Sequence, residues 1–258
     1  MEQGLKAEQN DRWYLLDSIR GICILGMIIY HTLFDIVAFF GVTPDPAVAD
    51  IINIIRDFGA CCFICLSGIC IHFGKKPLKR IGMLFGAGLV VSLVTFIVLP
   101  EMPIYFGILT FMGIAGLIML PLIKILDKLP PIPFAVISFL LFLLTFEVSH
   151  GYLGYYDLVV YVLPETLYKN MLTAFFGFPY VGFASSDYYP LFPWIFMFLF
   201  GFFLWKLMKR SERLLRILRF RIKFTEKIGR LSLYIYIAHQ PLIMGVLLLI
   251  SYIVYHTS

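Results

Sequence analysis

An ionisable side chain inside an apolar stretch is expensive to bury and generally has a task there. This sequence holds few such residues, and they gather in two places. The stretch RGICILGMIIYHTLFD opens at Arg20 and carries His31 and Asp35. His31 and Asp35 are four residues apart, so on a helix they share a face. A carboxylate beside an imidazole can fix its tautomer and raise its basicity, as in the base and orienter of general-base catalysis. The same pair could also serve only to link helices. The second place is LSLYIYIAHQP, with His239, Gln240 and Pro241. It combines an imidazole, a neutral amide that both donates and accepts, and a proline that frees a backbone carbonyl and kinks the helix.

Three further groups carry polar chemistry. Asn53, Arg56 and Asp57 fall together, and Arg56 either neutralises Asp35 or closes a salt bridge with Asp57 at the membrane interface. SSDYYPLFPW places Ser185, Ser186 and Asp187 beside Tyr188, Tyr189 and Trp194, which reads as an aromatic belt or as a grip on an acceptor. Cys23, Cys61, Cys62, Cys65 and Cys70 all lie in apolar segments, with no His or carboxylate to complete a tetrahedral set. They read as small apolar packing residues, and no metal is expected. No glycine-rich phosphate loop, zinc-peptidase helix or serine elbow is evident.

The elements that position these residues follow from composition. The chain has 258 residues, 60% of them apolar and 14% charged, with a mean hydropathy of +0.89. A soluble domain of this length could not cover so much apolar surface, whereas lipid accepts it. A spanning helix needs about 20 mostly apolar residues. Seven segments meet that need or nearly so: Ile19–Gly41, Ile51–Phe73, Ile81–Leu99, Ile104–Leu126, Pro133–Glu147, Pro190–Met208 and Ile228–Tyr255. The fifth is short and could continue into Val148–Gly151. The fold class is therefore all-α: a polytopic transmembrane helix bundle, one domain over 1–258, in the cell membrane.

Charge orients it. Lys75, Lys76, Lys79 and Arg80 fill one connection, Lys124 and Lys128 flank another, and the basic loop 206–229 holds a further cluster of Lys and Arg. The alternate connections carry Asp45, Asp50 and Glu101. Basic loops belong in the cytoplasm, so the amino terminus, with segment 1–18, is expected inside and the carboxyl terminus outside. The net charge of +5 then serves orientation and anionic lipid contact, not nucleic acid. Met1–Arg20 has no apolar core or cleavage site and is not read as a signal peptide. In Arg213–Lys223, RLLRILRFRIK, bases and apolar residues interleave as in an amphipathic helix on an anionic leaflet, or simply mark topology. The extracytoplasmic loop 148–189 is long and rich in Tyr, Phe, Gly and Pro. Within it Tyr152–Leu163 is too short to span and is expected to lie at the interface or re-enter. On this topology His31 lies ~16 Å beyond Arg20 at 1.5 Å per residue, close to mid-bilayer. His239 is similarly deep on a helix running the same way, which suggests a shared polar cavity.

Four stretches together are similar to the bacterial relatives of the heparan-alpha-glucosaminide N-acetyltransferase catalytic domain: LDSIRGICILGMIIYHTLFDI, IYFGILTFMGIAGLIML, LYKNMLTAFFGF with SSDYYPLFPWIFMFLFGFFL, and IGRLSLYIYIAHQPL. The resemblance implies acyl transfer across the membrane, from cytoplasmic acetyl-CoA as co-substrate to a hydroxyl or amine of an extracytoplasmic sugar or glycan. The matched positions are Arg20, His31, Asp35, Asp187, Trp194, His239 and Gln240. His31 would be the base, oriented by Asp35, with His239 and Gln240 as oxyanion or second-base groups. Arg20 would attract the donor's phosphates, and Asp187 and Trp194 would meet the acceptor. Two positions depart from the pattern. Thr110 stands where relatives often have His, and Val42–Asp50 lacks the His that the lysosomal branch is thought to use. That branch's reactive residue is therefore not carried over. The competing readings are a proton-coupled carrier of a small polar solute, and a non-catalytic membrane protein of the same fold.

Overall fold

The computed structural model describes residues 12–41, 44–73 and 76–257. Gly74 and Lys75 of the first basic connection, residues 1–11, and part of the connection Val42–Asp50 lie outside them. Seven helices among the described residues are long and apolar enough to cross a membrane: Tyr14–Val37, Pro46–Phe73, Pro77–Val98, Ile108–Leu126, Pro131–His150, Leu191–Met208 and Ser232–Ile253. The chain is an all-α polytopic bundle, as its hydropathy implied. The short fifth segment reaches 20 residues because a 3-10 turn, Val148–His150, extends it.

The chain divides into two compact units, Met1–Phe63 with Ser211–Ser258, and Ile64–Arg210. In the first unit, α1 (Tyr14–Phe40) ends at Gly41. Gly41 takes φ 63°, the left-handed conformation that closes helices and suits glycine. The long helix α2 (Pro46–Cys70) starts in this unit and runs on into the second.

The second unit continues with α3 (Pro77–Val98), α4 (Ile108–Leu126) and α5 (Pro131–Leu144). Prolines at the first helical positions of α3 and α5 fit a site where no N–H is needed. α3 lies tightly on α4: a Cβ at Gly88 would come 2.4 Å from Thr110 Oγ1, and one at Gly113 would come 2.7 Å from Phe85 Cβ. Thr110 is buried there and its hydroxyl has no hydrogen-bond partner among the described residues. A much larger imidazole at 110 would meet α3 at Gly88. The C-terminal carbonyls of α4 are closed by Lys206, whose Nζ donates to Leu126, Asp127 and Leu129 at 2.8, 2.9 and 2.8 Å. Lys206 comes from α7 (Leu191–Met208), which packs along α5.

The long loop is ordered into small pieces. Tyr152–Leu163 neither spans nor re-enters as a helix: it forms an antiparallel hairpin, β1 (Tyr152–Tyr155) and β2 (Leu158–Val162). Gly154, at a register shift in β1, approaches β2 so closely that a Cβ would overlap the Leu158 carbonyl. A short helix, α6 (Met171–Phe176), follows behind an Asn170–Thr173 capping box. Tyr188 Oη donates to the Ala174 carbonyl at 2.5 Å and ties α6 to the entrance of α7.

The basic stretch after α7 also departs from the expected form. It is two short helices, α8 (Glu212–Leu218) and α9 (Lys223–Arg230), separated at 219–222. Both belong to the first unit, and α9 packs along α1. A Cβ at Gly21 would overlap the Thr225 carbonyl, and one at Gly229 would overlap the Asp17 carbonyl, so the two backbones touch. Glu226, 2% exposed, pairs with Arg221, and Arg230 lies 3.8 Å from it. Arg221 and Arg219 sit over the rings of Tyr14 and Trp13 at 5.0 and 5.8 Å. Several bases read as leaflet contacts are thus held against α1. The last helix, α10 (Ser232–Thr257), also packs on α1.

Candidate functional site

The two polar stretches meet. His31 on α1 and His239 on α10 have ring centroids 5.0 Å apart, tilted by 57°. One turn further along α1, Asp35 is buried, and Gln240 Nε2 donates to its Oδ2 at 2.8 Å. All four residues belong to the first unit. The pairing differs in detail from the expectation that Asp35 orients His31. Here the neighbouring helix supplies Asp35's donor, and His31 makes ring contacts with His239 and with Tyr30, 5.3 Å away edge-on.

His239 has its own orienter. Its Nδ1 is 2.5 Å from the Tyr236 carbonyl, one helical turn back. A carbonyl only accepts, so Nδ1 carries the proton, and in the neutral ring the lone pair is on Nε2. Pro241 follows two residues later. It has no N–H, so the Ile237 carbonyl loses its usual helical donor. Gln240 Oε1 is buried and has no hydrogen-bond partner among the described residues. The cluster therefore offers a proton acceptor at Nε2, a neutral amide acceptor at Oε1, and a carboxylate whose position the amide fixes.

Arg56 settles on its neighbour: Nε donates to Asp57 Oδ1 at 2.8 Å. Its Nη1 also reaches the Tyr30 hydroxyl at 3.4 Å. Cys23 and Cys62 hydrogen-bond to each other between α1 and α2, and the five cysteines are free thiols.

The remaining predicted residues lie elsewhere. Arg20 Nη1 donates to Asp17 Oδ1 at 2.8 Å, and Arg12 Nε donates to the other oxygen of Asp17 at 3.0 Å. This end of α1 is thus two cations around one carboxylate. Asp187 and Trp194 are in the second unit. Asp187 Oδ2 accepts from the Ile108 amide at 3.1 Å, the first residue of α4. Ser185 Oγ reinforces that junction through the Tyr105 amide and carbonyl, both at 2.9 Å. An acidic group beside free helix amides is favoured by the helix dipole, so Asp187 caps α4. Trp194 is buried among Tyr189, Phe142 and Phe146. Sequence reasoning missed Tyr236, whose role rests on its carbonyl and not on its side chain. The spacing to His239, three residues, was the available signal.

A family model described as heparan-alpha-glucosaminide N-acetyltransferase, catalytic, matches residues 12–241. No curated protein and no solved structure matches the chain.

Proposed function

The chain belongs to the heparan-alpha-glucosaminide N-acetyltransferase catalytic family, and on that premise we propose that it moves an acetyl or other acyl group from cytoplasmic acyl-CoA to a hydroxyl or amine of an extracytoplasmic sugar. Membership carries transmembrane acyltransferase chemistry. The observation that supports this site for it is the contact of His31 with His239 at 5.0 Å, beside the hydrogen-bonded pair Asp35–Gln240.

In this reading His239 Nε2 takes the proton from the acceptor's O–H or N–H, because the Tyr236 carbonyl holds the ring in the matching tautomer. The freed oxygen or nitrogen bonds to the thioester carbonyl carbon. The C–S bond then breaks, and the thiolate of CoA recovers the proton from the imidazolium. His31 steadies the oxyanion or serves as the second base. Gln240 Oε1 receives a donor hydrogen of the acceptor, and Asp35, fixed by the same side chain, balances the imidazolium charge. Arg20 meets the donor's phosphates from the cytoplasmic end of α1. Asp187 and Trp194 support the acceptor side by shaping the entrance of α4 and α7. The amino terminus is cytoplasmic and the carboxyl terminus outside, which puts the basic connections next to the donor.

Acyl-CoA turnover by the purified protein in proteoliposomes, with sugar inside, tests this reading. Wild type should release CoA in proportion to acylated sugar. His239→Ala should lose a factor of about 10²–10⁴, the usual worth of a positioned base. Full turnover in both His239→Ala and His31→Ala would overturn the assignment. Uptake of a solute without acyl-CoA would favour a carrier.

A further inference from the structure

The β-hairpin of the long loop has a feature that acyl transfer does not use. Every residue of β2, Leu158, Val159, Val160, Tyr161 and Val162, is between 52% and 70% exposed. Side chains alternate along β1, so its pairing puts Val159 and Val162 on one face of β2 and Leu158 and Tyr161 on the other, with Val160 left over at the register shift; both faces of β2 are apolar and both are open. A strand with one face on a core and one in water shows alternation instead. Five large apolar residues in a row could not rest in water on both faces without a large hydrophobic cost. Carboxylates bracket the run, Asp157 at the turn and Glu165 after Pro164.

The hairpin's place in the fold says what covers it. It begins immediately after the span Pro131–His150. Phe146 in that span packs against Tyr155 and Tyr156 at 5.0 and 5.7 Å. Glu147 is buried, accepting from the Tyr156 amide at 3.2 Å and lying 2.5 Å from His150 Nδ1. The hairpin is thereby pinned to the end of a helix that itself exposes Ile132, Val136, Phe139 and Leu140. Exposed apolar residues thus lie on either side of the junction, up to Leu140 on the span and again from Tyr155 in the hairpin. Tyr152, Tyr155, Tyr156 and Tyr161 supply the amphipathic rings that favour the headgroup level.

We propose that the hairpin is an interfacial anchor: β2 lies at the headgroup–acyl boundary of the leaflet where α5 ends, with both faces against lipid. A second copy added along β2 would pair the strand's outer backbone edge but leave its apolar faces open, so phospholipid is the occupant.

Photocrosslinking in phospholipid vesicles tests this. Benzoylphenylalanine replaces Val159, and separately Tyr161, whose partners on β1 are successive residues and so put the two on opposite faces. Val136→benzoylphenylalanine on α5 is the lipid reference and Glu165→benzoylphenylalanine the water reference. After illumination, phospholipid adducts are quantified by mass spectrometry. Both hairpin positions should give lipid adducts within about twofold of Val136 and at least about tenfold above Glu165, as an interfacial position requires. Yields at both positions no higher than at Glu165, or covalent dimers in place of lipid adducts, would overturn the anchor. Because Tyr161 exchanges one aromatic side chain for another at an exposed position, it gives a reading even if the Val159 variant is poorly folded.

Discussion

Gln240 answers to two partners at the scale of single residues. Its amide nitrogen holds Asp35 across α1 and α10, while its buried oxygen has no partner among the described residues and is the atom the proposed reaction gives to the acceptor. Gln240→Leu removes the donor and leaves a buried carboxyl without it. The expected result is a loss of roughly 1–3 kcal/mol of stability, seen as a lower melting temperature in detergent, together with a fall in acyl transfer. Gln240→Glu keeps the shape but sets two acidic groups together, and should be worse. Tyr188 gives a pH signature. Burial holds its phenol above the usual tyrosine range, so the folded state keeps the proton more tightly. The stabilisation is complete below the ordinary value near pH 10 and is lost as pH rises through the higher folded value. Tyr188→Phe should therefore flatten the alkaline fall in melting temperature, while costing about 1 kcal/mol at neutral pH through the loss of one hydrogen bond to the Ala174 carbonyl, which keeps the Gly177 amide as donor. Residue chemistry was partly legible in advance. His31, Asp35, His239 and Gln240 are ionisable or polar in apolar stretches, and that cost made them visible. Matching depth also suggested that His31 and His239 share a cavity, as their ring contact bears out, whereas the Gln240–Asp35 bond was not legible, since spacing along one helix cannot say which side chain stands opposite. Asp187 also showed as polar, but its use as a cap depends on a tertiary contact 79 residues away.

At the scale of elements, packing follows small residues and capping follows long ones. Gly21 and Gly229 let α1 and α9 touch backbone to backbone. Gly229→Leu must force them apart and should cost about 1–3 kcal/mol, the usual penalty of overpacking. Gly26 lies on the same α1, yet a Cβ added there would meet nothing within 4 Å. Gly26→Ala should be neutral or stabilising by up to about 1 kcal/mol, so thermal unfolding of the two variants separates contact from propensity. Lys206→Met would take the ammonium donor from three carbonyls at the end of α4, of which Leu126 keeps the Leu129 amide. The expected loss is at least about 1.5–3 kcal/mol, the worth of one hydrogen bond to a charged group. The spans were legible because lipid demands length and apolarity of each one. The hairpin was not, because a short apolar run carries the same signal in a strand as in a helix segment. The basic stretch read as one amphipathic helix because the interleaving of Arg with Leu and Ile ignores the break at 219–222.

For the whole molecule, the distribution of charge makes a single topological prediction. Basic connections alternate with acidic ones along all seven spans. An alkaline phosphatase fusion after Ser258 should be active and one within 206–229 inactive, placing the carboxyl terminus outside and the basic loop in the cytoplasm. The opposite pattern would put the proposed donor on the wrong side of the bundle. Family membership over residues 12–241 embraces both compact units, so the match concerns the bundle as a whole and not the histidine pair alone.

The glycine contact between α1 and α9 has a mechanical side. Two helices that meet through backbone atoms have no side-chain layer to absorb sliding. Whatever draws the cationic end of α9 toward an anion therefore draws α1 with it. His31 lies ten residues beyond Gly21 on that same helix, about 15 Å deeper. The depth of an imidazole in the lipid is thus set by a joint at its edge, and α9 works on it as a handle works on a rod.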